Sequence, residues 1–488
     1  MASRLVTMTN GIQPMKALFN CRETGFSLPM IWQGSSYLLP ICNKPLLEYW
    51  LDLCVWLGIK EIRVVSYPGT GDLASYLRNG SDWGLQISYA QGHPDDVLPD
   101  MLLRNSSFLD QDTLILDGFQ FPFYDRKALK PLPVDAQEPA IYCLDRSQLR
   151  LNDSCLLFPA TTLERLLRAR SDSERFERWT SLPLDQHPAL NFQVLIPHQL
   201  RDYFIISLRV LEAHNQFNLK GFEVAPGIFE GLNNDIAMRP ALGGPLLTGQ
   251  FCKIGAEARF ERTILHEQVW IDGQANLRNC LVWGPVYIAD IELENQIVIQ
   301  RQCFDPITGQ VQALEMPWRL KQVLEDHGSK QALLAYDARI ATRLLLWRWP
   351  LYQALRWAVP AEFQKYYLNA NGETLIVPSF SLPESANPIQ EKFFAWNLHR
   401  VPLLLAVREQ RMLLVGTHLL PAGPESLRYL EQLPVYAPGA FSRTEGLTTD
   451  SLTHLMEELN YISQVDDEIN TSIWQRALAS EQQRFGAE

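Results

Sequence analysis

The chain has 488 residues, 47% of them apolar and 20% charged, with a formal net charge of −12. That length predicts two or three domains, and that composition excludes global disorder. The negative balance excludes general nucleic-acid binding, which needs a basic face to neutralise phosphate, and no Lys/Arg cluster with interleaved aromatics supplies one.

In chain order, the first thirty residues contain no continuous apolar run of signal-peptide type, so cytoplasmic residence is expected. The eight cysteines (21, 42, 54, 143, 155, 252, 280 and 303) form no CxxC pair and no zinc spacing with histidine. They read as reduced, buried thiols. KPLLEYWLDLCVWLGI (44–59) puts Leu47, Trp50, Leu51, Cys54 and Leu57 on one helical face. KEIRVVSY (60–67), LQISYA (85–90) and DTLILDGF (112–119) read as buried strands. Strand–helix alternation at this spacing predicts a parallel α/β sheet, whose ligands bind at the carboxyl ends of strands where the strand order reverses. Asp117 and Gly118 arrive at that edge, and Gln91, after a neighbouring strand, is either a reader of a base edge or a solvated loop glutamine.

Three segments carry a family resemblance: LLPICNKPLLEYWLDLCVWLGIKEIRVVS (38–66), GSDWGLQISYAQ (80–91) and RDYFIISLRVL (201–211). Together they resemble the nucleotide-sugar pyrophosphorylases, the sugar-phosphate nucleotidyltransferases that join a nucleoside triphosphate to a sugar 1-phosphate. The resemblance implies a Rossmann-like domain over residues 1–235, a glycine-rich phosphate loop, a base lysine and two magnesium-binding aspartates. This chain departs at each point. An isolated Gly11 stands instead of the glycine run, Ser36 at the lysine, Phe119 at the first aspartate and Ile196 at the second. Asn43, Lys44, Gln91, Asp117 and Gly118 remain candidate ligand-binding residues. Asp117 is a stand-in for the first aspartate only if the strand turns it the right way, since adjacent strand residues face opposite sides.

From Ile254 onward, apolar residues recur every five or six positions: Ile254, Phe260, Leu265, Ile271, Leu277, Trp283, Ile288, Leu293 and Ile299. This hexapeptide period predicts a short left-handed β-helix within residues 236–315. The resembled pyrophosphorylases often carry such a coil, which implies self-association.

Residues 340–359, IATRLLLWRWPLYQALRWAV, are long enough to span a bilayer. Arg343, Arg348 and Arg356 would each cost about 3 kcal/mol at a helix centre, and Pro350 is expected to break the run. A membrane-interfacial helix is the expectation, with Trp347, Trp349 and Trp357 at headgroup level and arginines such as Arg348 towards phosphates. A soluble Trp/Leu core pair is the open alternative. LHRVPLLLAVREQRMLLVGTHLL (398–420), YAPGAFS (436–442) and ELNYIS (458–463) resemble bacterial sugar transferases that begin polysaccharide chains on a polyprenol phosphate. That resemblance implies an α+β sugar-transferase-like domain over residues 316–488. Where the family has its catalytic Asp-Glu pair this chain has His399-Arg400, and Thr417-His418 replaces its anion-binding Pro-Arg.

The combined expectation is an α/β chain of three parts that does no catalysis, with no retained catalytic residue, no metal and no cofactor. It serves as a binding or scaffold protein of bacterial exopolysaccharide or capsule assembly, peripheral at the inner face of the cytoplasmic membrane. Expected partners are a nucleotide sugar or polyprenol-linked sugar, the membrane surface, a glycosyltransferase or sugar transferase of the same pathway, and a second copy of the chain. Two alternatives stay open: a divergent sugar-phosphate nucleotidyltransferase using Mg2+, and a divergent phosphoglycosyl transferase.

Overall fold

The structure is a computed structural model that describes residues 15–22, 32, 34–125, 127, 141–143, 155–168, 184–186, 192–236, 241–314, 316, 318–369, 371–382, 387–445, 447 and 452–485. The chain divides into two compact units. The first comprises Met1–Val269, Asn276–Gly284 and Glu292–Leu314; the second comprises Trp270–Ala275, Pro285–Ile291 and Glu315–Glu488.

The first unit is built on a seven-stranded sheet. Its spatial order is Leu184–Gln186, Ile141–Cys143, Cys155–Phe158, Asp112–Asp117, Met15–Cys21, Glu61–Ser66 and Gln86–Gln91. The four strands at the Gln86–Gln91 end run parallel, and Cys155–Phe158 runs antiparallel to Asp112–Asp117. Three of these strands follow the apolar runs read from the sequence. The central strand Met15–Cys21 does not, because MKALFNC is buried on both faces and shows no alternation. The chain leaves that strand towards Glu61–Ser66 and Gln86–Gln91, then returns to its other side with Asp112–Asp117. The strand order therefore reverses at Met15–Cys21, and the carboxyl ends there form the crevice where α/β sheets bind ligands.

Helix Leu46–Trp56 covers the sheet with the predicted face: Leu47, Trp50, Leu51 and Cys54 are buried, as is Leu57 just beyond it. Trp50 is fully buried, and its indole N–H donates to the Gln120 carbonyl at 2.7 Å. Helix Leu200–Glu212 closes another side of the core, where the Tyr203 hydroxyl donates to the Pro40 carbonyl at 2.7 Å. The seven cysteines whose side chains are described are all buried and free of disulfides.

Beyond the sheet, short strands stack in parallel ladders. Leu246 pairs with Thr263, Ile264 with Leu281, and Leu281 with Ile297; on a second side Ala241 pairs with Arg259, Arg259 with Asn276, and Asn276 with Glu292. All nine periodic apolar residues from Ile254 to Ile299 are buried. Corners are turned by residues in the left-handed region, among them Asn279 (φ 49°) and Asn295 (φ 55°), where the Asn279 amide donates to the Asn295 side-chain oxygen at 2.9 Å. At Gly284 a Cβ would lie 1.9 Å from the Glu267 carbonyl oxygen, so only glycine fits that corner.

The second unit is organised by the 29-residue helix His327–Leu355, N-capped by Asp326, whose carboxylate accepts from the Gly328 N–H. Pro350 lies inside this helix rather than ending it, a correction to the sequence expectation. Proline forfeits a bond to the carbonyl four residues earlier, and here that residue, Leu346, is 74% exposed, so water can satisfy its carbonyl. The buried stripe Asp337, Ala338, Ala341, Leu345, Arg348 and Tyr352 has helical spacing. The hairpin Ala361–Tyr367/Thr374–Phe380, helices Pro388–Ala395 and Val401–Arg408, parallel strands Leu413–Val415 and Gly439–Phe441, and helices Leu452–Gln464 and Asp467–Phe485 complete the unit. Ser463 donates to the Tyr287 hydroxyl at 2.9 Å and Gln464 to the Asp272 carboxylate at 2.7 Å, so the short segments Trp270–Ala275 and Pro285–Ile291 dock on this helix. No helix among the described residues is long and apolar enough to cross a membrane.

Candidate functional site

At the reversal point of the first unit, Asn20 and Asp117 are register partners on adjacent strands. The Asn20 amide donates to the Asp117 carboxylate at 2.6 Å, and its oxygen accepts from the Tyr67 hydroxyl at 2.6 Å. Tyr67 is reached from the end of Glu61–Ser66, and the Arg22 guanidinium lies 5.4 Å from its ring centre. Burial raises the Tyr67 phenol, so it stays a neutral donor. The adjoining turn is tied back as well: the Gly118 N–H donates to the Asn20 carbonyl at 3.3 Å, and Gln120 donates to the Asp117 carbonyl. Gly118 has φ +89°, which suits glycine.

The remaining predicted positions lie around this edge or beneath it. Ser36 is buried and opens a single helical turn, and the preceding Ser35 N–H donates to Asp72 at 2.7 Å. Phe119 is buried, edge-on to Tyr37 at 5.8 Å. Ile196 is partly buried against the main core. Asn43, at φ 59°, donates to the Leu265 carbonyl at 3.1 Å. Lys44 is buried, paired with Asp52 and donating to the Asn218 carbonyl at 2.9 Å, so its charge is spent internally. Gln91 is exposed at the end of its strand. Gly11 lies outside the described residues. Among the described residues no group of His, Cys, Asp and Glu is arranged to hold a metal ion.

In the second unit, His399 stacks on Phe394 at 4.7 Å in the turn Leu398–Arg400. Arg400 is buried, donating to the Ala440 carbonyl at 3.1 Å and pairing with Glu445. Arg348 is also buried, donating to the Leu344 and Trp396 carbonyls, whereas Trp347, Trp349 and Trp357 are 44%, 40% and 82% exposed. Asp337 accepts from the Leu414 N–H at 2.8 Å, and burial pushes its carboxyl up to about 6.

Sequence reasoning named neither the Asn20–Tyr67 pair nor a second polar centre around Glu458. The available signal was thin: one polar Asn inside an otherwise apolar strand, and a glutamate at the head of ELNYIS.

No family model matches the chain. Its N-terminal region is similar to nucleotidyltransferases. The glucose-1-phosphate thymidylyltransferase of Neisseria meningitidis is 34% identical over 106 residues, 21% of this chain and 36% of that protein. The low-salt glycan biosynthesis nucleotidyltransferase of Haloferax volcanii is 37% identical over 83 residues, 16% of this chain and 23% of that protein. The chain thus spans about a third or less of the length of these relatives. A Bacillus anthracis structure assigned as a glucose-1-phosphate thymidylyltransferase, solved with sucrose, gives a TM-score of 0.31 at 10% identity, covering 40% of this chain and 94% of that one.

Proposed function

We propose that this chain is a non-catalytic scaffold of bacterial exopolysaccharide or capsule assembly, derived from a sugar-phosphate nucleotidyltransferase. The observation that carries the reading is the crevice at the strand reversal. Tyr67 donates to Asn20 and Asn20 to Asp117 in that crevice, so these polar groups are turned on one another. Ser36 and Phe119, which the resemblance sets at the base lysine and a metal aspartate, are buried. Phosphoryl chemistry depends on charge placed against the transition state; Ser36 and Phe119 supply none, and the Asp117 carboxylate is engaged by Asn20.

In this reading the ladders of residues 236–315 are a left-handed β-helix that gives a self-association face. Residues 316–488 are a sugar-transferase frame without its Asp-Glu pair, since Arg400 points into its own unit. The exposed Trp347, Trp349 and Trp357 support attachment to the inner face of the cytoplasmic membrane. A nucleotide sugar or polyprenol-linked sugar and a catalytically intact glycosyltransferase of the pathway are the partners, and confinement to a surface lets modest affinities suffice. One observation favours a divergent nucleotidyltransferase instead: Asp117 stands at the carboxyl end of a strand beside the reversal.

Affinity purification from detergent-solubilised native membranes tests the scaffold reading. It predicts recovery with a glycosyltransferase, and loss of membrane association when the three tryptophans are replaced by serine. Recovery alone, with polymer output unchanged after deletion, contradicts it.

A further inference from the structure

The second unit contains a run of hydrogen bonds centred on Glu458, on helix Leu452–Gln464. Glu458 is fully buried, and its two oxygens accept from the His418 backbone N–H at 3.1 Å each. Oε1 also accepts from the Thr444 hydroxyl at 2.5 Å. Thr444 Oγ1 lies 3.3 Å from Ser442 Oγ, which lies 3.3 Å from His418 Nδ1. Thr444 and Ser442 are buried, and His418 is partly exposed. Each link can run in either direction, because a hydroxyl both donates and accepts and a neutral imidazole carries its proton on either nitrogen.

We infer that Glu458, Thr444, Ser442 and His418 form a proton relay that connects the buried carboxyl to the surface and latches together the segments 413–418, 439–445 and 452–464. With Glu458 protonated, its O–H donates to Thr444, Thr444 to Ser442, and Ser442 to Nδ1 of His418, while Nε2 carries the imidazole proton. On ionisation Nε2 releases its proton to water and Nδ1 takes the Ser442 proton. Ser442 then takes that of Thr444, and Thr444 that of the carboxyl. One proton leaves, and the only charge that remains on the chain of groups is the carboxylate.

The groups facing Glu458 favour this behaviour near neutral pH. On its own helix are His454, Glu457 and Tyr461; Tyr429 comes from helix Pro424–Gln432, and its hydroxyl lies 2.6 Å from His454 Nδ1. His418 lies edge-on to His454 at 5.0 Å, and Tyr436 approaches from the adjoining loop. The nearby cations are engaged elsewhere, Arg443 with Glu457 at 2.8 Å and Arg400 with Glu445. Asp337, on helix His327–Leu355, acts on Tyr461 across the core. Burial pushes the Glu458 carboxyl up to about 7, and burial lowers His418 and takes His454 down to about 4, so both rings stay neutral while the carboxyl titrates. With Arg443 and Arg400 paired to other carboxylates among the described residues, an ionised Glu458 weakens the seam between the three segments.

Nitrogen NMR of the imidazoles in the full chain tests the relay. The expected result is that His418 changes from the Nε2–H to the Nδ1–H tautomer with a midpoint near 7, and that Glu458→Gln and Ser442→Ala each abolish the change. A His418 tautomer constant from pH 5.5 to 8.5 in the wild type overturns the relay. For the latch, amide exchange corrected for intrinsic pH effects is expected to rise at least tenfold in segments 439–445 and 452–464 between pH 6 and 8.5, and not in Glu458→Gln. Equal rises in both proteins overturn the latch. If Glu458→Gln does not fold, Ser442→Ala carries the relay test, and wild-type exchange that stays flat across this range overturns the latch.

Discussion

At the strand reversal of the first unit, an amide, a carboxylate and a phenol satisfy one another within two bonds of 2.6 Å. Around Glu458 in the second unit, a carboxyl, two hydroxyls and an imidazole do so in a longer chain. Both centres lie where a resemblance leads one to look for charge directed at a ligand, and in both the polar groups are turned on each other. The difference is in what can change. Asn20 has no proton to lose near neutral pH, so its bonds are fixed, whereas burial pushes the Glu458 carboxyl up to about 7 and its bonds depend on conditions. The first centre is a lock built from fixed donors; the second is a lock with a proton in it.

That contrast is broken most severely by attacking the support of the first centre. Trp50→Ala removes a fully buried indole and its bond to the Gln120 carbonyl, beside the turn that holds Asp117. A loss of about 4 kcal/mol is expected. Segment-resolved hydrogen exchange should place the loss in the first unit and leave helix Leu452–Gln464 unchanged. A smaller and sharper change is Asn20→Leu, which keeps the branched shape but takes the amide from between Tyr67 and Asp117. It is expected to cost about 2 kcal/mol, read by denaturant unfolding, with no dependence on pH between 6 and 8.

The second centre should respond in the opposite way. The Glu458 carboxyl binds its proton more tightly folded than unfolded, so it contributes stability below about pH 4.5 that is lost as the pH rises through about 7. Asp337 has the same sign in a lower window, up to about 6. His454, pushed down to about 4, has the reverse sign, so its contribution grows with pH between about 4 and 6.5 and masks part of the trend. The difference between wild type and Glu458→Gln isolates the one group. Relative to wild type, the variant is expected to gain about 2 kcal/mol on going from pH 5 to pH 8. A difference that does not change with pH contradicts the assignment.

How far the sequence disclosed all this follows from the range of the interactions. The face of helix Leu46–Trp56, the strands Glu61–Ser66, Gln86–Gln91 and Asp112–Asp117, and the nine inward residues from Ile254 to Ile299 repeat at short periods, and those periods are local. Met15–Cys21 escaped notice because a strand buried on both faces has no period to read. Pro350 misled because its cost depends on whether Leu346 faces water, a property of the fold. Ser36, Phe119 and His399 were legible as departures from a pattern, but Lys44 and Arg400 keep their charges, and only their partners Asp52 and Glu445 reveal that the charges face inward. The Tyr67–Asn20–Asp117 bonds join residues far apart in sequence through sheet register, and no single stretch encodes them.

The central claim is that the crevice of the first unit has been given up as a catalytic site. The most direct test incubates the purified full chain with each of the four nucleoside triphosphates, common sugar 1-phosphates and Mg2+, and follows pyrophosphate. The account predicts no release above the protein-free control, and no difference between wild type and Asp117→Asn. Steady Mg2+-dependent release that Asp117→Asn abolishes would contradict it and make Asp117 a metal ligand of a working nucleotidyltransferase.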